Sequence, residues 1–135
     1  MKAIARRTGD TFIHRVEMGG HELTVDEPRD EGGNDDGPTP QELLAASLAS
    51  CTAITLEMYA RRKGWEIGPV EVECEYSAPE RGQPTHFELM TRVQGACTED
   101  QLERLKVIAA KCPVHRTLHG RVTFTERIER ADGAD

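Results

Sequence analysis

The longest stretch of the chain without a charged side chain runs from Leu43 to Leu56. Leu44, Leu48 and Cys51 share one helical face, and the alanine and isoleucine residues between them leave no polar side. A helix that is apolar all round must be buried nearly all round. Its serine and threonine residues, with Glu57 after them, argue against a bilayer span, which needs about 20 mostly apolar residues. We therefore predict a sequestered helix around which the rest of the chain folds.

Both ends of this helix carry local signals. Thr39 suits the N-cap and Pro40 the first helical position. Glu42 follows Thr39 by three residues, so the pair reads as a capping box. At the other end, basic residues favour the helix C-terminus and Gly64 favours the cap. These signals predict a helix of about 35 Å, which is long for a domain of this size.

Strands are predicted on both sides of the helix, because apolar and polar residues alternate there. A hairpin turn at Gly19-Gly20 joins two of them. A second helix begins at Thr98, where Thr98 and Gln101 form another capping box, and its apolar stripe ends at Cys112. The predicted strands cover residues 2–6, 11–18, 21–25, 67–76, 86–94 and 121–128.

The order of elements is therefore β-β-β-α-β-β-α-β, an α+β arrangement in one domain over residues 1–135. Residues 26–38 form an acidic loop before the long helix, and residues 130–135 are expected to be a frayed tail. One sheet covers only one side of a helix that is apolar all round. We therefore expect a second copy of the chain to cover the other side, in an obligate homodimer.

The charge balance excludes some partners. Seventeen basic and 24 acidic residues give a net charge of −7, whereas nucleic acids and anionic membranes favour basic surfaces. The N-terminus has no apolar run long enough for a signal peptide, so we expect a cytoplasmic protein. Because the cytosol keeps thiols reduced, the four cysteines indicate metal ligation, redox chemistry or core packing rather than permanent disulfides.

Cys51 and Cys112 are the main chemical candidates, since each lies on the apolar stripe of a predicted helix. A buried cysteine is more often a small hydrophobic residue than a catalyst. Basic neighbours favour a thiolate at Cys112, whereas Cys51 lies in mid-helix and needs a nearby cation. A third use is a metal site, because His115 and His119 follow Cys112 at helical spacing. By pattern, Cys74 belongs to the core and Cys97 to a loop.

The chain resembles the OsmC/Ohr family of thiol-dependent peroxidases. The resemblance rests on GGNDDGPTPQELLAASLASCTAITLEMYARRKG, on the downstream KCPVHRTL, on a hairpin that ends in VDEP and on the order of elements. It implies an intertwined homodimer with active sites built from both subunits. Cys51 matches the peroxidatic cysteine and Cys112 the resolving one. It also implies an organic hydroperoxide substrate, an external dithiol reductant and no resident cofactor.

One position departs from the family pattern, and another has two matches. Organic hydroperoxide reductases of the family carry Glu ten residues before the first cysteine, where this chain has Gln41, and Glu42 lies nine residues before it. The family also has an arginine in the N-terminal strands that stabilises the thiolate, and both Arg7 and Arg15 match that description. Two alternatives to a peroxidase follow from the residues: a non-catalytic protein that binds an apolar ligand in the dimer cleft, and a Cys/His metal site.

Overall fold

The computed structural model describes residues 1–131 and shows an α+β chain with two antiparallel sheets. The first sheet contains β1 (Ala3–Arg7), β2 (His14–Met18) and β3 (His21–Val25), in that order across the sheet. Gly19 and Gly20 both have positive φ, and they form the predicted turn between β2 and β3. The sheet confirms the three N-terminal strands, although β2 begins later than the alternation predicts.

The rest of the chain forms one packed unit. A long helix, α1 (Pro40–Lys63), is followed by a hairpin of β4 (Val70–Ser77) and β5 (His86–Val93). Two shorter helices come next, α2 (Glu99–Ala109) and α3 (Pro113–His119). β4, α2 and α3 all pack against α1. The α+β class is therefore confirmed.

The ends of α1 form as their local signals predict. The Thr39 hydroxyl accepts a 3.1 Å hydrogen bond from the Glu42 N–H, and the Glu42 carboxylate accepts one of 3.1 Å from the Thr39 N–H. Gly64 ends the helix with a φ of 71°, a left-handed conformation that favours glycine. The prediction that Glu42 caps the helix is confirmed.

Asp26, which follows β3, connects the first sheet to the start of α1. Its N–H donates to the carbonyl of Pro38 at 3.1 Å. Its buried carboxylate accepts hydrogen bonds from the N–H groups of Glu27, Asn34 and Asp36, at 2.8, 3.1 and 3.2 Å. One side chain thus organises the acidic loop and fixes where α1 begins.

The core lies where α1, the β4–β5 hairpin and α2 meet. On the inner face of the hairpin, Tyr76 stacks on Phe87 with ring centroids 4.7 Å apart. Arg104 of α2 donates a 3.0 Å hydrogen bond to the hydroxyl of Tyr59 in α1. The buried residues of this core are Leu56, Tyr59, Ala60, Ile67, Leu105 and Ile108.

The other side of α1 is open within one chain. Ile54 is 56% exposed and Met58 is 61% exposed. The first sheet does not cover them, because in the described part of the chain β1, β2 and β3 pack mainly on one another. The prediction that α1 is buried nearly all round therefore does not hold for a single chain. By length and composition α1 would also suffice to cross a membrane, contrary to the sequence-based expectation, although one side of it packs as a core helix.

The predicted strand over residues 121–128 does not form in the single chain. This segment has no regular secondary structure, and Phe124 within it is 80% exposed. A strand needs the edge of another strand, and none of the strands in residues 1–131 pairs with it. Within residues 1–131, the last element of regular structure is α3. Of the predicted tail, residues 132–135 lie outside the described residues.

Candidate functional site

Cys51 and Cys112 lie side by side, although 61 positions separate their numbers in the sequence. Cys51 is near the middle of α1 and is half-buried, whereas Cys112 is 0% exposed. Cys112 occupies the N-cap of α3, where the chain leaves α2 and Pro113 takes the first helical position. Both cysteines are free thiols. The packing of α3 against α1 therefore brings together the two cysteines that the resemblance pairs.

Two hydrogen-bond donors point at the Cys112 sulfur. The backbone N–H of His115 lies 3.2 Å from it, as expected for a group that caps a helix. The hydroxyl of Thr52 lies 3.8 Å from it, a distance suited to a sulfur acceptor. Thr52 follows Cys51 in α1, so α1 contributes both a thiol and a hydroxyl to this site.

Burial raises the pKa of the Cys112 thiol, and the neighbouring Cys51 thiol raises it further. The hydrogen bonds from His115 and Thr52 lower this pKa, but the net direction remains upward. The sequence-based expectation that basic neighbours favour a Cys112 thiolate is therefore wrong for the resting site. Cys112 is held as a neutral thiol because burial disfavours the charged form, and this outweighs any effect of the neighbouring Lys111, His115 and Arg116.

Two cavities lie next to the residues that bond to Cys112, although neither Cys51 nor Cys112 lines them. One has a volume of about 410 Å³ and lies between α1, the β4–β5 hairpin and α3. The other has about 540 Å³ and lies between α1, β5 and α2, with Thr52 in its wall. His115 lines both. The apolar residues that line the cavities are Leu44, Leu48, Tyr76, Phe87 and Leu89 in the first, and Leu56, Leu89, Val93, Leu102 and Leu105 in the second.

Gln41 and Glu42 are not part of this site. They line a separate cavity of about 580 Å³ at the start of α1, together with Cys74 and His86. Nine residues of helix separate Glu42 from Cys51, a rise of about 13 Å. Burial raises the pKa of Cys74, in keeping with its predicted place among core residues. Within one chain, Gln41 and Glu42 therefore line a cavity of their own, about two and a half helical turns from Cys51.

Arg7 and Arg15 are also distant from Cys51 in the single chain. They lie on β1 and β2, and both side chains are on the exposed surface of the first sheet. Arg15 pairs with Glu22 of the neighbouring strand at 3.7 Å. Because this sheet packs mainly on itself rather than on α1, the structure brings neither arginine to the cysteine pair.

The hypothesis of a Cys/His metal site is not supported by the geometry. Within residues 1–131, no three His, Cys, Asp or Glu side chains come together as a metal ligand set. The rings of His115 and His119 stack on each other, with centroids 6.0 Å apart, along the wall of the cavity of about 410 Å³. The Cys112 sulfur instead faces Cys51 and Thr52 on α1. Helical spacing places Cys112, His115 and His119 on one element, but it does not direct their side chains at one metal position.

Thr52 is the site residue that sequence reasoning missed. In an uncharged helical stretch, a threonine is easily interpreted as a small residue that the helix tolerates and that has no further role. Its position directly after Cys51 was the available signal, but its partner lies on a different helix.

Comparison with known proteins gives a consistent result. The family model described as OsmC-like protein matches residues 32–127, which include both cysteines. No curated protein matches the chain.

Several solved structures share the fold. The OsmC-like protein from Mycoplasma pneumoniae is 21% identical, with a TM-score of 0.74, over 88% of this chain and 86% of that one. The organic hydroperoxide resistance protein OsmC from Legionella pneumophila is 25% identical, with a TM-score of 0.66, over 89% and 90%. An organic hydroperoxide resistance protein from Elizabethkingia anophelis is 26% identical, with a TM-score of 0.65, over 87% and 86%. With a family model covering most of its length, the chain belongs to the OsmC-like protein family.

Proposed function

We propose that this protein is a cysteine-based peroxidase that reduces organic hydroperoxides and protects the cell from oxidative stress. It acts in the cytoplasm as a homodimer and needs no resident cofactor. The observation that carries the proposal is the placement of Cys51 beside the buried Cys112. Similarity to proteins named for organic hydroperoxide resistance supports the choice of substrate.

The proposed cycle has three balanced steps. The Cys51 thiolate attacks the distal oxygen of R–O–O–H, becomes a sulfenic acid and releases R–OH after protonation of the leaving oxygen. The Cys112 thiol then condenses with the sulfenic acid, which forms the Cys51–Cys112 disulfide and water. An external dithiol reduces this disulfide and is itself oxidised to a disulfide. The mainly aliphatic cavity that contains Thr52, the residue after Cys51, favours organic peroxides over hydrogen peroxide.

The site of this cycle is completed by a second copy of the chain. A thiolate at Cys51 requires a cation, and neither Arg7 nor Arg15 reaches it within one chain. Within residues 1–131 the first sheet packs mainly on itself, the irregular segment of residues 121–128 is exposed, and one side of α1 is open. In a dimer the first sheet of one copy would cover the α1 helices and bring its arginine to the partner's Cys51. A guanidinium there would lower the pKa of the thiol and orient the peroxide.

The test is consumption of an organic hydroperoxide by the purified protein with a dithiol reductant. The wild type should turn over, and peptide mass mapping after peroxide treatment should find Cys51 linked to Cys112. Cys51→Ser should abolish the reaction, and Cys112→Ser should allow one turnover that leaves an oxidised Cys51. A Cys51→Ser protein that reduces peroxide at the wild-type rate would refute the proposal.

The same assay separates the two arginines. Replacement by Ala of the arginine that reaches Cys51 should lower the second-order rate constant with peroxide, whereas replacement of the other should not. Arg92→Ala is the matched control, because Arg92 pairs with Glu71 and Glu73 on the outer face of the β4–β5 hairpin. If neither Arg7→Ala nor Arg15→Ala differs from this control, the dimeric site as described is wrong.

A second candidate function is a non-catalytic protein that binds an apolar ligand. The cavity of about 540 Å³ between α1, β5 and α2 favours it, since much of its wall is aliphatic. Such a protein would bind a fluorescent fatty acid probe but would not consume peroxide. It would also bind the probe equally well after Cys51→Ser, because the thiol would have no role.

A further inference from the structure

The hydroxyl of Thr52 makes an unusual hydrogen bond for a helical residue. Serine and threonine hydroxyls within helices commonly bond to the carbonyl three or four residues earlier. Ser47 and Ser50 of α1 do so, to Leu44 and Ala46, both at 2.8 Å. Thr52 is 2% exposed and directs its hydroxyl across to the Cys112 sulfur on another element. This hydroxyl is therefore committed to the thiol rather than to its own helix.

The two cysteines differ in how they can be reached. Cys112 is fully buried, whereas Cys51 is half-buried within one chain. Once the two are joined, an outside thiolate can attack only the sulfur that it reaches, which is that of Cys51. The other sulfur must then leave as a thiolate, and exchange is faster when the leaving thiolate is better stabilised.

We propose that Thr52 and the backbone N–H of His115 stabilise Cys112 as the leaving thiolate when a reductant attacks Cys51. The two donors already lie 3.8 and 3.2 Å from the sulfur that would take the charge. Donors placed in advance around a developing anion lower the barrier to its formation. This inference rests on the disulfide of the proposed function and assigns a direction to its reduction.

The electrons balance in two exchanges. The first thiolate of the dithiol forms a bond to the Cys51 sulfur, the Cys51–Cys112 bond breaks, and its electron pair goes to Cys112. The second thiolate of the dithiol then attacks the reductant sulfur that is bound to Cys51. This releases the Cys51 thiolate and closes the disulfide of the reductant, so the protein gains the two electrons that the dithiol loses.

The surroundings of Cys112 determine how well its sulfur carries a negative charge after it leaves. Burial raises the pKa of its thiol, and the Thr52 hydrogen bond lowers it, so loss of the hydroxyl should raise the pKa further. The other titratable groups nearby are Cys51 from α1 and His115 from α3. Three charged residues of α2 line the cavity that contains Thr52, namely Glu99, Glu103 and Lys106. The residues of β5 that line it carry no charge: Leu89, Thr91 and Val93.

The first experiment uses no peroxide. The wild-type disulfide is formed with diamide, and its reduction by dithiothreitol is followed across neutral and alkaline pH by alkylation and mass spectrometry. Thr52→Val keeps the shape of the side chain but removes the donor, so reduction should slow by about threefold to tenfold at every pH, because Cys112 carries no proton while it is joined to Cys51. Thr52→Ser should restore most of the rate. Thr117→Val is the matched control, since it makes the same change at an exposed position of α3.

The second experiment uses the wild type alone and tests direction. The oxidised protein is treated with glutathione, a single thiol, and the mixed disulfide is located by peptide mapping. The adduct should lie on Cys51. An adduct on Cys112, a Thr52→Val protein that is reduced at the wild-type rate, or a failure of diamide to join the two cysteines would each overturn the inference.

These outcomes are separate from the fate of the peroxidase proposal. If reduction behaves as expected but the protein consumes no hydroperoxide, the peroxidase proposal fails and the role of Thr52 stands. If peroxide is consumed but Thr52→Val matches the wild type in reduction, the role of Thr52 fails and the peroxidase proposal stands.

Discussion

The backbone N–H of His115 donates a 3.2 Å hydrogen bond to the sulfur of Cys112, so one side chain both caps α3 and lies beside the Cys51 thiol. An N-cap position has extended backbone geometry, and Cys112 has a φ of −62° and a ψ of 143°. The sulfur is thereby held against α1 by the start of a helix. The placement of Cys112 thus depends on local helix geometry as well as on core packing.

We expect Cys112→Ser to remain as stable as the reduced wild type. Serine is among the preferred N-cap residues, so its hydroxyl can accept the His115 N–H, whereas Cys112→Ala leaves that N–H without its acceptor at a cost of about 1 kcal/mol. Urea unfolding of the reduced proteins measures the difference. Equal loss of stability in the two variants would show that the sulfur contributes by packing alone. Neither variant can form the Cys51–Cys112 disulfide.

The exposed side of α1 predicts how the protein associates. In a monomer, Ile54→Asp would be a surface change worth less than about 0.5 kcal/mol, because Ile54 is 56% exposed. In the proposed dimer this change buries a charge, so the protein should dissociate or unfold. Light scattering at micromolar concentration makes the measurement. Met90→Asp is the control, since Met90 is as exposed but lies on the outer face of β5.

A stable wild-type monomer in the same light-scattering experiment would rule out the homodimer. Leu48→Asp offers a second comparison, because Leu48 is fully buried within the single chain. We expect that variant not to fold in either case, since it places an unpaired charge in the core. Circular dichroism and soluble yield report this outcome.

Glu42→Gln should keep nearly all of the stability and activity. Glutamine can accept the Thr39 N–H as glutamate does, so the capping box is preserved. Thr39→Ala, which removes the acceptor for the Glu42 N–H, should cost about 1 kcal/mol in thermal or urea unfolding. If Glu42→Gln instead loses more than about a hundredfold in peroxidase rate with its fold intact, Glu42 has the role of the family's catalytic Glu.

Asp26 predicts a loss of stability in acid. Burial alone raises the pKa of its carboxyl group, but the N–H groups of Asp36, Glu27 and Asn34 lower it by more, so the net direction is downward. A carboxylate with a lowered pKa stabilises the fold above its unfolded pKa of about 3.9. That contribution is lost as the pH falls through the lower, folded value.

Asp26→Asn should therefore lower the urea midpoint at neutral pH and flatten the acid limb of the stability profile. The asparagine amide keeps one acceptor oxygen, but its NH₂ group is itself a donor and cannot accept the N–H groups that the second carboxylate oxygen accepts. Asp30→Asn is the control, because it makes the same change in the same acidic loop at an exposed position. A profile for Asp26→Asn that parallels this control would show that the loop does not depend on the carboxylate.

Local signals in the sequence were sufficient to predict several features of the fold. The bounds of α1 followed from Thr39, Glu42 and Gly64, because caps involve residues a few positions apart. The alternation of apolar and polar residues was sufficient to predict β4 and β5, since one face of their hairpin packs on the core and the other is exposed to solvent. Cys51 and Cys112 were identified as candidates from their apolar stripes and from the family resemblance.

Tertiary structure decided the features that depend on distant contacts. The hydrogen bond from Thr52 to Cys112 joins residues 60 positions apart, and no local pattern encodes it. The segment of residues 121–128 has the alternation of a strand, but a strand also needs a paired neighbour, and no strand in residues 1–131 pairs with it. The position of Gln41 beside Cys74 rather than Cys51 likewise follows from where β4 crosses α1. Side-chain patterns specify what each element can bury, whereas packing decides which elements meet.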